Sequence, residues 1–354
     1  MFFPTRMDGA PRAADRIGGA ILSALGEPFG LPDRQVVIGA SIGVALRPAH
    51  GTTLSELMRA ADAAMYHAKA EGRGRVECFG EGLASRIAHR ARLESDLRDA
   101  INHRQFALVF QPQVSAIDGR LVGTEALLRW RHPDGEKLPG SFLQRAEECG
   151  LMVEIGDWVV RSVAETIARW ASAGIEQRMT VNVSPRQIDH AHFFRNLREA
   201  MHDARAPGSL LELEISETLA MHCSDEVIDA LVMLRDDGAT IAIDDFGIGY
   251  SNVARLRGLP IDRIKLDRSL TARVATDAQT RTIAQAMIAL VHGLNCEAVA
   301  EGIENAAQAE VLRILGCDTL QGYAVAEPMG EAALLDWMRL PRTPPLMFSR
   351  ARAG

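Results

Sequence analysis

Residues Thr240–Gly247 read TIAIDDFG, and no other segment of the chain is as informative. Apolar and small residues run directly into two adjacent carboxylates, Asp244 and Asp245, which a glycine follows. This pattern is typical of a buried parallel strand that delivers charge to the open end of a sheet. Adjacent carboxylates repel each other and are costly to desolvate unless a cation lies between them. One such strand is ordinary, but six short apolar strands in this chain that end in an acid, an amide or a lysine point to a metal-dependent active site.

From Phe106 onward, short apolar strands alternate with helical patterns. The predicted strands are Ala107–Gln111, Arg120–Leu128, Met179–Val183, Leu210–Ile215, Thr240–Asp244, Arg263–Leu266, Glu297–Ala300 and Thr319–Gln321. The long predicted helices are Ile155–Ala173, Glu217–Asp237, Thr280–Gly293 and Asn305–Leu315. This alternation fits a (β/α)8 TIM-barrel-like domain better than an open sheet. The polar residues at the carboxyl ends of the strands should then converge on one face.

Those strand ends carry mainly hard oxygen donors. They are Glu125, Asn182, Glu214, Asp244, Asp245 and Glu301, accompanied by Lys265 and Gln321. This set suits Mg²⁺ or Mn²⁺ and disfavours structural zinc. Two such ions would clamp the attacking and leaving oxygens of a phosphoryl displacement, and Lys265 would orient the water or balance charge. Any one of these residues alone is better interpreted as a cap or surface charge, but buried carboxylates on consecutive strands are rare without partners.

Short motifs surround the same residues. They are Phe110-Gln111-Pro112, Glu125-Ala126-Leu127-Leu128-Arg129, Asn182-Val183-Ser184, Glu214-Ile215-Ser216-Glu217, Asp244-Asp245-Phe246-Gly247, Lys265-Leu266-Asp267, Ala300-Glu301-Gly302-Ile303-Glu304 and Gln321-Gly322-Tyr323. In this combination, residues 106–340 resemble the EAL family of cyclic di-GMP phosphodiesterases. The resemblance implies hydrolysis of one phosphodiester bond of cyclic di-GMP to give linear pGpG. It also implies homodimerisation through the EAL domain.

The resemblance assigns a role to each site residue. Glu125, Asn182, Glu214 and Asp244 would hold one metal, and Asp245, Glu301 and the shared Asp244 the second. Lys265 would position the hydrolytic water, Glu301 would act as general base, and Gln321 would support the water network. Gln111, Leu127 and Arg129 would bind the substrate, with Arg129 pairing with a phosphate. Glu217 would anchor the loop that follows Asp245.

Three positions depart from the family pattern. Ile248 and Asn252 lie in the loop after the paired aspartates, where Thr or Ala and then Ser are usual, so the rate or regulation could differ. Leu270 replaces a frequent Phe, which we interpret as a packing change. The metal and water-handling positions are all retained, and we therefore expect a competent site.

The first 80 residues show a helix at Ala14–Leu25, a strand or hairpin arm at Gln35–Leu46, and a capping box, Thr53-Leu-Ser-Glu56, that opens a helix through Lys69. ASIGVA at 40–45 and AADAAMYHAK at 60–69 resemble the C-terminal half of a GGDEF diguanylate cyclase domain. The Gly-Gly-Asp-Glu-Phe signature is absent, so we predict no cyclase activity. A truncated chain, an incorrectly assigned start and a decayed module are the open explanations.

We predict a GGDEF-like segment at 1–80, a connecting helix at 81–103, the EAL domain at 104–342 and a tail at 343–354. The 354 residues carry a net charge of −7, which disfavours a duplex nucleic-acid partner. Five scattered cysteines suggest a reducing, cytoplasmic setting, and no apolar run is long enough to span a membrane. The competing functions are a catalytically weak or inactive cyclic di-GMP receptor and, with less support, a passive scaffold.

Overall fold

The structure, a computed structural model, describes residues 10–31, 33–70, 72–247 and 252–340. The chain divides into two compact units, Met1–Ser95 and Asp96–Gly354. The residue boundaries predicted from the sequence stay predictions, since this division reflects compactness alone. The predicted tail at 343–354 lies outside the described residues.

The N-terminal unit is a small α/β arrangement. Its elements are α1 (Ala10–Gly26), β1 (Phe29–Gly30), β2 (Gln35–Val36), β3 (Ile42–Val44), α2 (Leu54–Ala70), β4 (Val76–Cys78) and the first part of α3 (Glu81–Asn102). Strands β1 and β2 pair antiparallel, whereas β3 and β4 pair parallel. The two sheets have two strands each, so most of the packing comes from the helices that lie on them.

Helix α2 begins at the predicted capping box and packs closely on β3. The Glu56 carboxylate accepts hydrogen bonds from the Thr52 and Thr53 backbone amides at 2.8 and 3.0 Å, which lowers the pKa of Glu56 to about 2. At Gly43 a Cβ would lie 2.0 Å from the Ala61 carbonyl oxygen. Only glycine permits this approach of helix and strand.

The predicted continuous strand at Gln35–Leu46 is wrong in its extent. Only Gln35–Val36 and Ile42–Val44 are strands, and they belong to different sheets. Val37 and Ile38, between them, are 65% and 44% exposed, because no described strand or helix covers them. The β-branched composition therefore favoured a strand where no partner stabilises one. The residues predicted as a connecting helix form the helix α3, whose Leu97 and Ala100 are fully buried.

The second unit is a closed eight-stranded barrel with helices outside. Its strands are β5 (Phe106–Ser115), β6 (Leu121–His132), β8 (Arg178–Val183), β9 (Leu211–Ser216), β10 (Thr240–Phe246), β11 (Arg263–Leu266), β12 (Glu297–Ala300) and β13 (Thr319–Leu320), with β7 (Gly135–Lys137) paired to β6 outside the barrel. Its helices are α4 (Leu143–Glu148), α5 (Met152–Ser172), α6 (Pro185–Ile188), α7 (Phe193–Ala204), α8 (Glu217–His222), α9 (Asp225–Asp236), α10 (Val253–Leu256), α11 (Arg268–Thr271), α12 (Ala278–Gly293), α13 (Ala306–Ile314) and α14 (Glu331–Arg339). The predicted barrel is confirmed.

Two details differ from a regular alternation of strands and helices. Strand β5 runs antiparallel to both of its neighbours, β6 and β13, because a tight turn rather than a helix joins β5 to β6. The helix predicted at Glu217–Asp237 is two helices, α8 and α9. The break occurs at Cys223–Ser224, where the Ser224 hydroxyl accepts a hydrogen bond from Val227 N and starts a new helix.

The core is continuous between the barrel strands and the surrounding helices, and it is dominated by Ile, Leu, Val and Ala. All five cysteines are free thiols. None of the described helices combines the length and apolar character needed to cross a bilayer.

Candidate active site

Four carboxylates meet around one lysine at the carboxyl ends of the barrel strands. Lys265 Nζ, on β11, lies 2.7 Å from Glu214 Oε1, 2.5 Å from Glu301 Oε1 and 3.4 Å from Glu125 Oε2. The fourth carboxylate, Asp244, lies 3.8 Å from the same nitrogen. Parallel strands bring these residues together, since the carboxyl ends of β9, β10, β11 and β12 share one rim.

This cluster fits a divalent metal ion. Glu214, Asp244 and Glu301 each offer a carboxylate oxygen within 4.8 Å of the others. Asp244 Oδ1 is buried and has no hydrogen-bond partner, which is costly for a carboxylate that does not bind a cation. The three ligands are hard oxygen donors, the type that Mg²⁺ and Mn²⁺ prefer.

Like charges and burial shift the acidities of the cluster. Desolvation, followed by the neighbouring carboxylates, raises the pKa of Glu214 well above its usual value, against the effect of Lys265. The same causes raise the pKa of Glu301 to about 7. Burial alone would lower the pKa of Lys265, but the surrounding carboxylates raise it well above normal. One buried ammonium therefore does not neutralise the site, and added positive charge would stabilise it.

Glu125 is held by two amide side chains. Asn182 Nδ2 donates to Glu125 Oε1 at 2.6 Å, and Gln321 Nε2 donates to Glu125 Oε2 at 2.5 Å. Gln321 Nε2 also donates to Gln111 Oε1 at 3.0 Å, so the predicted water-network and substrate residues contact each other directly. The amide orientation of Asn182 leaves its oxygen available as a ligand.

The paired aspartates differ in position. Asp244 joins the cluster, whereas Asp245 adopts a left-handed backbone conformation with φ of 57° at an irregularity in the β10–β11 pairing. Asp245 is exposed and makes no hydrogen bond or ion pair among the described contacts. Although the residue is exposed, partial desolvation of its carboxylate and the charges of Asp244 and Asp267 raise its pKa. The sequence did not indicate this proximity of Asp267, which follows Lys265 by two residues.

Glu217 lies beneath the turn that follows these aspartates. It is only 4% exposed, and its Oε2 accepts a hydrogen bond from the Gly247 amide at 3.0 Å. Leu270, one of the three residues that depart from the family pattern, packs against the same turn. Its Cδ1 is so near that a Cβ on Gly247 would lie 2.6 Å from it. This agrees with the packing role that we expected for Leu270.

The other two departures lie in the loop that follows. Asn252 caps α10 and accepts hydrogen bonds from the Ala254 and Arg255 amides at 3.1 and 3.4 Å, a role that serine also performs. Ile248 lies outside the described residues.

The remaining predicted substrate residues follow Glu125 along one face of β6. Leu127 and Arg129 are two and four residues further on, and alternate residues of a strand share a face. Both are partly exposed and lie beyond Glu125 in the direction of the carboxyl end of β6, where we place the mouth of the site. Arg129 Nη1 donates to the Leu128 carbonyl oxygen at 2.8 Å, and its Nε lies 3.8 Å from Glu136. Arg129 is therefore already oriented by its neighbours.

A second layer of buried polar residues lies deeper in the barrel, two residues before the rim residues along the parallel strands. The sequence analysis did not predict it. Arg263 and Glu212 form an ion pair at 2.8 Å, and Gln113 accepts a hydrogen bond from Arg263 at 3.0 Å. The signal was present, since Glu212 precedes Glu214 by two residues and Arg263 precedes Lys265 by two. A period of two places such residues on the same inward face.

Comparison with protein families identifies the chain. Residues 94–328 match the EAL domain family. The chain belongs to the EAL domain family. The EAL domain is preceded by a match, over residues 4–75, to part of the family described as diguanylate cyclase, GGDEF domain. Both resemblances drawn from the motifs are thereby confirmed.

Relatives that match most of the chain include proteins named for cyclic di-GMP turnover. The bifunctional diguanylate cyclase/cyclic di-GMP phosphodiesterase MucR of Pseudomonas aeruginosa is 39% identical over 327 residues, which are 92% of this chain and 48% of that protein. The cyclic di-GMP phosphodiesterase NbdA of the same organism is 36% identical over 331 residues, 92% of this chain and 42% of that protein. The chain thus spans about half the length of these relatives.

Among solved structures, a PaMucR phosphodiesterase in complex with c-di-GMP is 40% identical and superimposes with a TM-score of 0.66. The superposition covers 69% of this chain and 99% of the PaMucR chain. The EAL enzyme Bd1971, bound to cAMP and cyclic di-GMP, is 27% identical with a TM-score of 0.69, covering 82% of this chain and 77% of that one.

Proposed function

We propose that this protein is a metal-dependent phosphodiesterase that hydrolyses cyclic di-GMP to linear pGpG in bacterial second-messenger signalling. The observation that carries the proposal is the cluster of four carboxylates around Lys265, in which one buried oxygen of Asp244 accepts no hydrogen bond. Relatives named cyclic di-GMP phosphodiesterases support the choice of substrate.

The proposed ligands are Glu125, Asn182, Glu214 and Asp244 for one ion, and Asp244, Asp245 and Glu301 for a second. Support for the first set is the proximity of its carboxylates to Lys265 and the free oxygen of Asn182. Support for the second is that Asp245 follows Asp244 at a backbone irregularity beside the cluster. Mg²⁺ or Mn²⁺ would supply Lewis-acid stabilisation of the developing charge on the phosphoryl oxygens.

The protein's own groups would bind the substrate and transfer the proton. Glu301 has a pKa of about 7, so near neutral pH a substantial fraction is ionised and can accept a proton from water. Lys265 stays protonated and, 2.5 Å from Glu301, can donate a hydrogen bond that orients the attacking water. Arg129 and Leu127 at the mouth would contact a phosphate and a base, and Gln111 would contact the dinucleotide near Gln321.

A hydrolysis assay tests the function. Purified protein is incubated with cyclic di-GMP and either Mg²⁺ or Mn²⁺, and pGpG is quantified by chromatography. We expect pGpG to form, to disappear when a chelator is added, and to return when excess metal is restored. Folded protein that forms no pGpG with either metal contradicts the proposal.

Binding measurements in the same samples separate hydrolase from receptor. Tight binding of cyclic di-GMP without turnover, unaffected by chelation, would favour the receptor function instead. The matched control is Asp336→Asn, a carboxylate on α14 whose side chain is 77% exposed and which lies outside the carboxylate cluster. It should hydrolyse cyclic di-GMP at the wild-type rate.

We also propose a homodimer through the EAL domain and a cytoplasmic location. The free state of all five cysteines supports a reducing compartment. The dimer rests on the family resemblance, and sedimentation of the full chain over a range of concentrations tests it. A single monomer mass at every concentration contradicts it.

A further inference from the structure

A chain of side-chain hydrogen bonds links the buried Arg263–Glu212 pair to the proposed metal ligand Glu125. Arg263 Nη1 donates to Gln113 Oε1 at 3.0 Å, and Gln113 Nε2 donates to Gln321 Oε1 at 2.9 Å. Gln321 Nε2 then donates to Glu125 Oε2 at 2.5 Å. The intermediate glutamines are almost completely buried, at 0% and 3% exposure, so water cannot replace these partners.

The two ends of this chain fix its direction. A guanidinium group can only donate hydrogen bonds, and an ionised carboxylate can only accept them. Gln113 must therefore turn its oxygen to Arg263 and its nitrogen to Gln321. Gln321 must in turn present its nitrogen to Glu125. If either amide were reversed, two oxygens or two nitrogens would face each other in a buried site, at the cost of an unsatisfied polar group.

The Nη1 atom of Arg263 is held by a buried carboxylate. Its Nη1 lies 2.8 Å from both oxygens of Glu212, whose side chain is completely buried. Thr180 Oγ1 donates to the same carboxylate at 2.8 Å, and Arg178 lies 3.1 Å from it. Arg263 Nε also lies 3.2 Å from Glu297, so two arginines face two carboxylates and the donor end of the chain belongs to a charge-balanced layer.

We propose that Gln113 and Arg263 are positioning residues for metal binding. They act through Gln321 to hold one oxygen of Glu125 in place, so that the carboxylate meets the metal in a fixed orientation. The inference rests on the proposed function for its consequence in hydrolysis, whereas its consequence for metal affinity does not depend on the substrate. Groups that orient metal ligands typically contribute about 10- to 100-fold in metal affinity or activity.

The test compares Gln113→Met with wild-type protein by calorimetric titration with Mn²⁺ alone. Methionine has a similar volume and no charge but cannot impose a direction on Gln321. We expect the dissociation constant for Mn²⁺ to rise about 10-fold or more. In the hydrolysis assay at saturating Mn²⁺, kcat should fall while KM for cyclic di-GMP stays within about twofold, since the mouth residues are unchanged.

Thr180→Val is the matched control. It removes a buried hydrogen bond to Glu212 in the same layer but leaves the glutamine chain intact. It should lower the melting temperature and leave the Mn²⁺ affinity unchanged. If Gln113→Met does not fold, Gln113→Glu keeps a partner for Arg263 but cannot donate to Gln321. The new carboxylate should therefore reverse that amide and weaken Mn²⁺ binding, despite its added negative charge.

Each result is decisive. A folded Gln113→Met, or Gln113→Glu in its place, with wild-type Mn²⁺ affinity overturns the inference, and so does an equal loss of affinity in Thr180→Val. A wild-type protein that binds Mn²⁺ but forms no pGpG overturns the proposed function instead, while the titration of the variant still decides the role of Gln113.

Discussion

Glu212 and Glu214 lie two residues apart on the same strand and are both almost completely buried, yet their acidities move in opposite directions. Burial alone would raise both pKa values. For Glu212, the adjacent Arg263 and Arg178 outweigh burial and lower the pKa. For Glu214, Lys265 is outweighed by burial and by three further carboxylates, and the pKa rises well above normal.

The difference separates a structural layer from the layer that we propose binds metal. In the deeper layer, charge is balanced within the protein, because Arg178 and Arg263 face the two carboxylates Glu212 and Glu297. At the rim, four carboxylates surround one ammonium, so the protein alone does not balance the charge. A buried ion pair that is complete needs no ligand, whereas an excess of buried carboxylates requires a bound cation or protons.

The largest effect expected from this comparison is on catalysis. Glu214→Gln should reduce the rate of cyclic di-GMP hydrolysis by about 10³-fold or more. Stabilisation of the transition state by a metal ion is worth several kcal/mol, and each 1.36 kcal/mol corresponds to about a tenfold change in rate. Without metal, the variant should unfold at the same temperature as metal-free wild-type protein or higher, because the substitution removes one of the excess buried carboxylates. Retained activity, or a marked loss of metal-free stability, would contradict the functional assignment of the rim.

The matched substitution in the deeper layer should act on stability. Glu212→Gln leaves the Arg263 guanidinium without its buried counter-ion, and removing one partner of a buried pair costs about 3 kcal/mol or more. Urea unfolding of the metal-free proteins measures the change. A loss below about 1 kcal/mol would show that the deeper layer does not depend on charge balance.

The smallest effect is on the pH dependence of stability. The pKa of Glu301 rises from 4.5 to about 7 on folding, so between these values the folded protein binds more protons than the unfolded chain. The free energy of unfolding of the metal-free protein should therefore fall as pH rises through this interval. We expect no more than about 2 kcal/mol, because water reaches part of the side chain.

Two controls identify the group responsible. Glu301→Gln, or saturating Mn²⁺ with the wild-type protein, should reduce this slope, and the part that Glu301→Gln leaves belongs to Glu214, whose pKa is also raised. The lowered pKa of Glu212 has the opposite effect on stability. The stability that it contributes is fully present above the ordinary pKa of a glutamate and is lost as the pH falls below that value. A stability that rises between pH 4.5 and 7 in metal-free protein would contradict the arrangement at the rim.

Much of the barrel and its rim could be predicted because local patterns carry them. Short strands rich in apolar residues each carry a polar residue at or near the carboxyl end, and the order of strands in a barrel brings those residues together. The helix break at Ser224 was missed, since an apolar helical pattern continues through it. The reversed direction of β5 was also missed, because hydrophobic periodicity does not encode strand direction.

Gln113 shows the limit most clearly. On the parallel strands the deeper layer lies two residues before each rim residue, as Glu212 does for Glu214. On β5 it lies two residues after, as Gln113 follows Gln111, because this strand is antiparallel to its neighbours. The relation between Gln113 and Arg263 therefore follows from topology.

The amino-acid sequence by itself determined the barrel class, the identity of the rim carboxylates and the chemistry they favour, since these depend on residue type and on short-range periodicity. The tertiary structure alone decided which buried charges are balanced. Glu212 and Glu214 are the same residue on the same face of one strand, and only the side chains that other strands place beside them give one a structural role and the other a place in the proposed metal site.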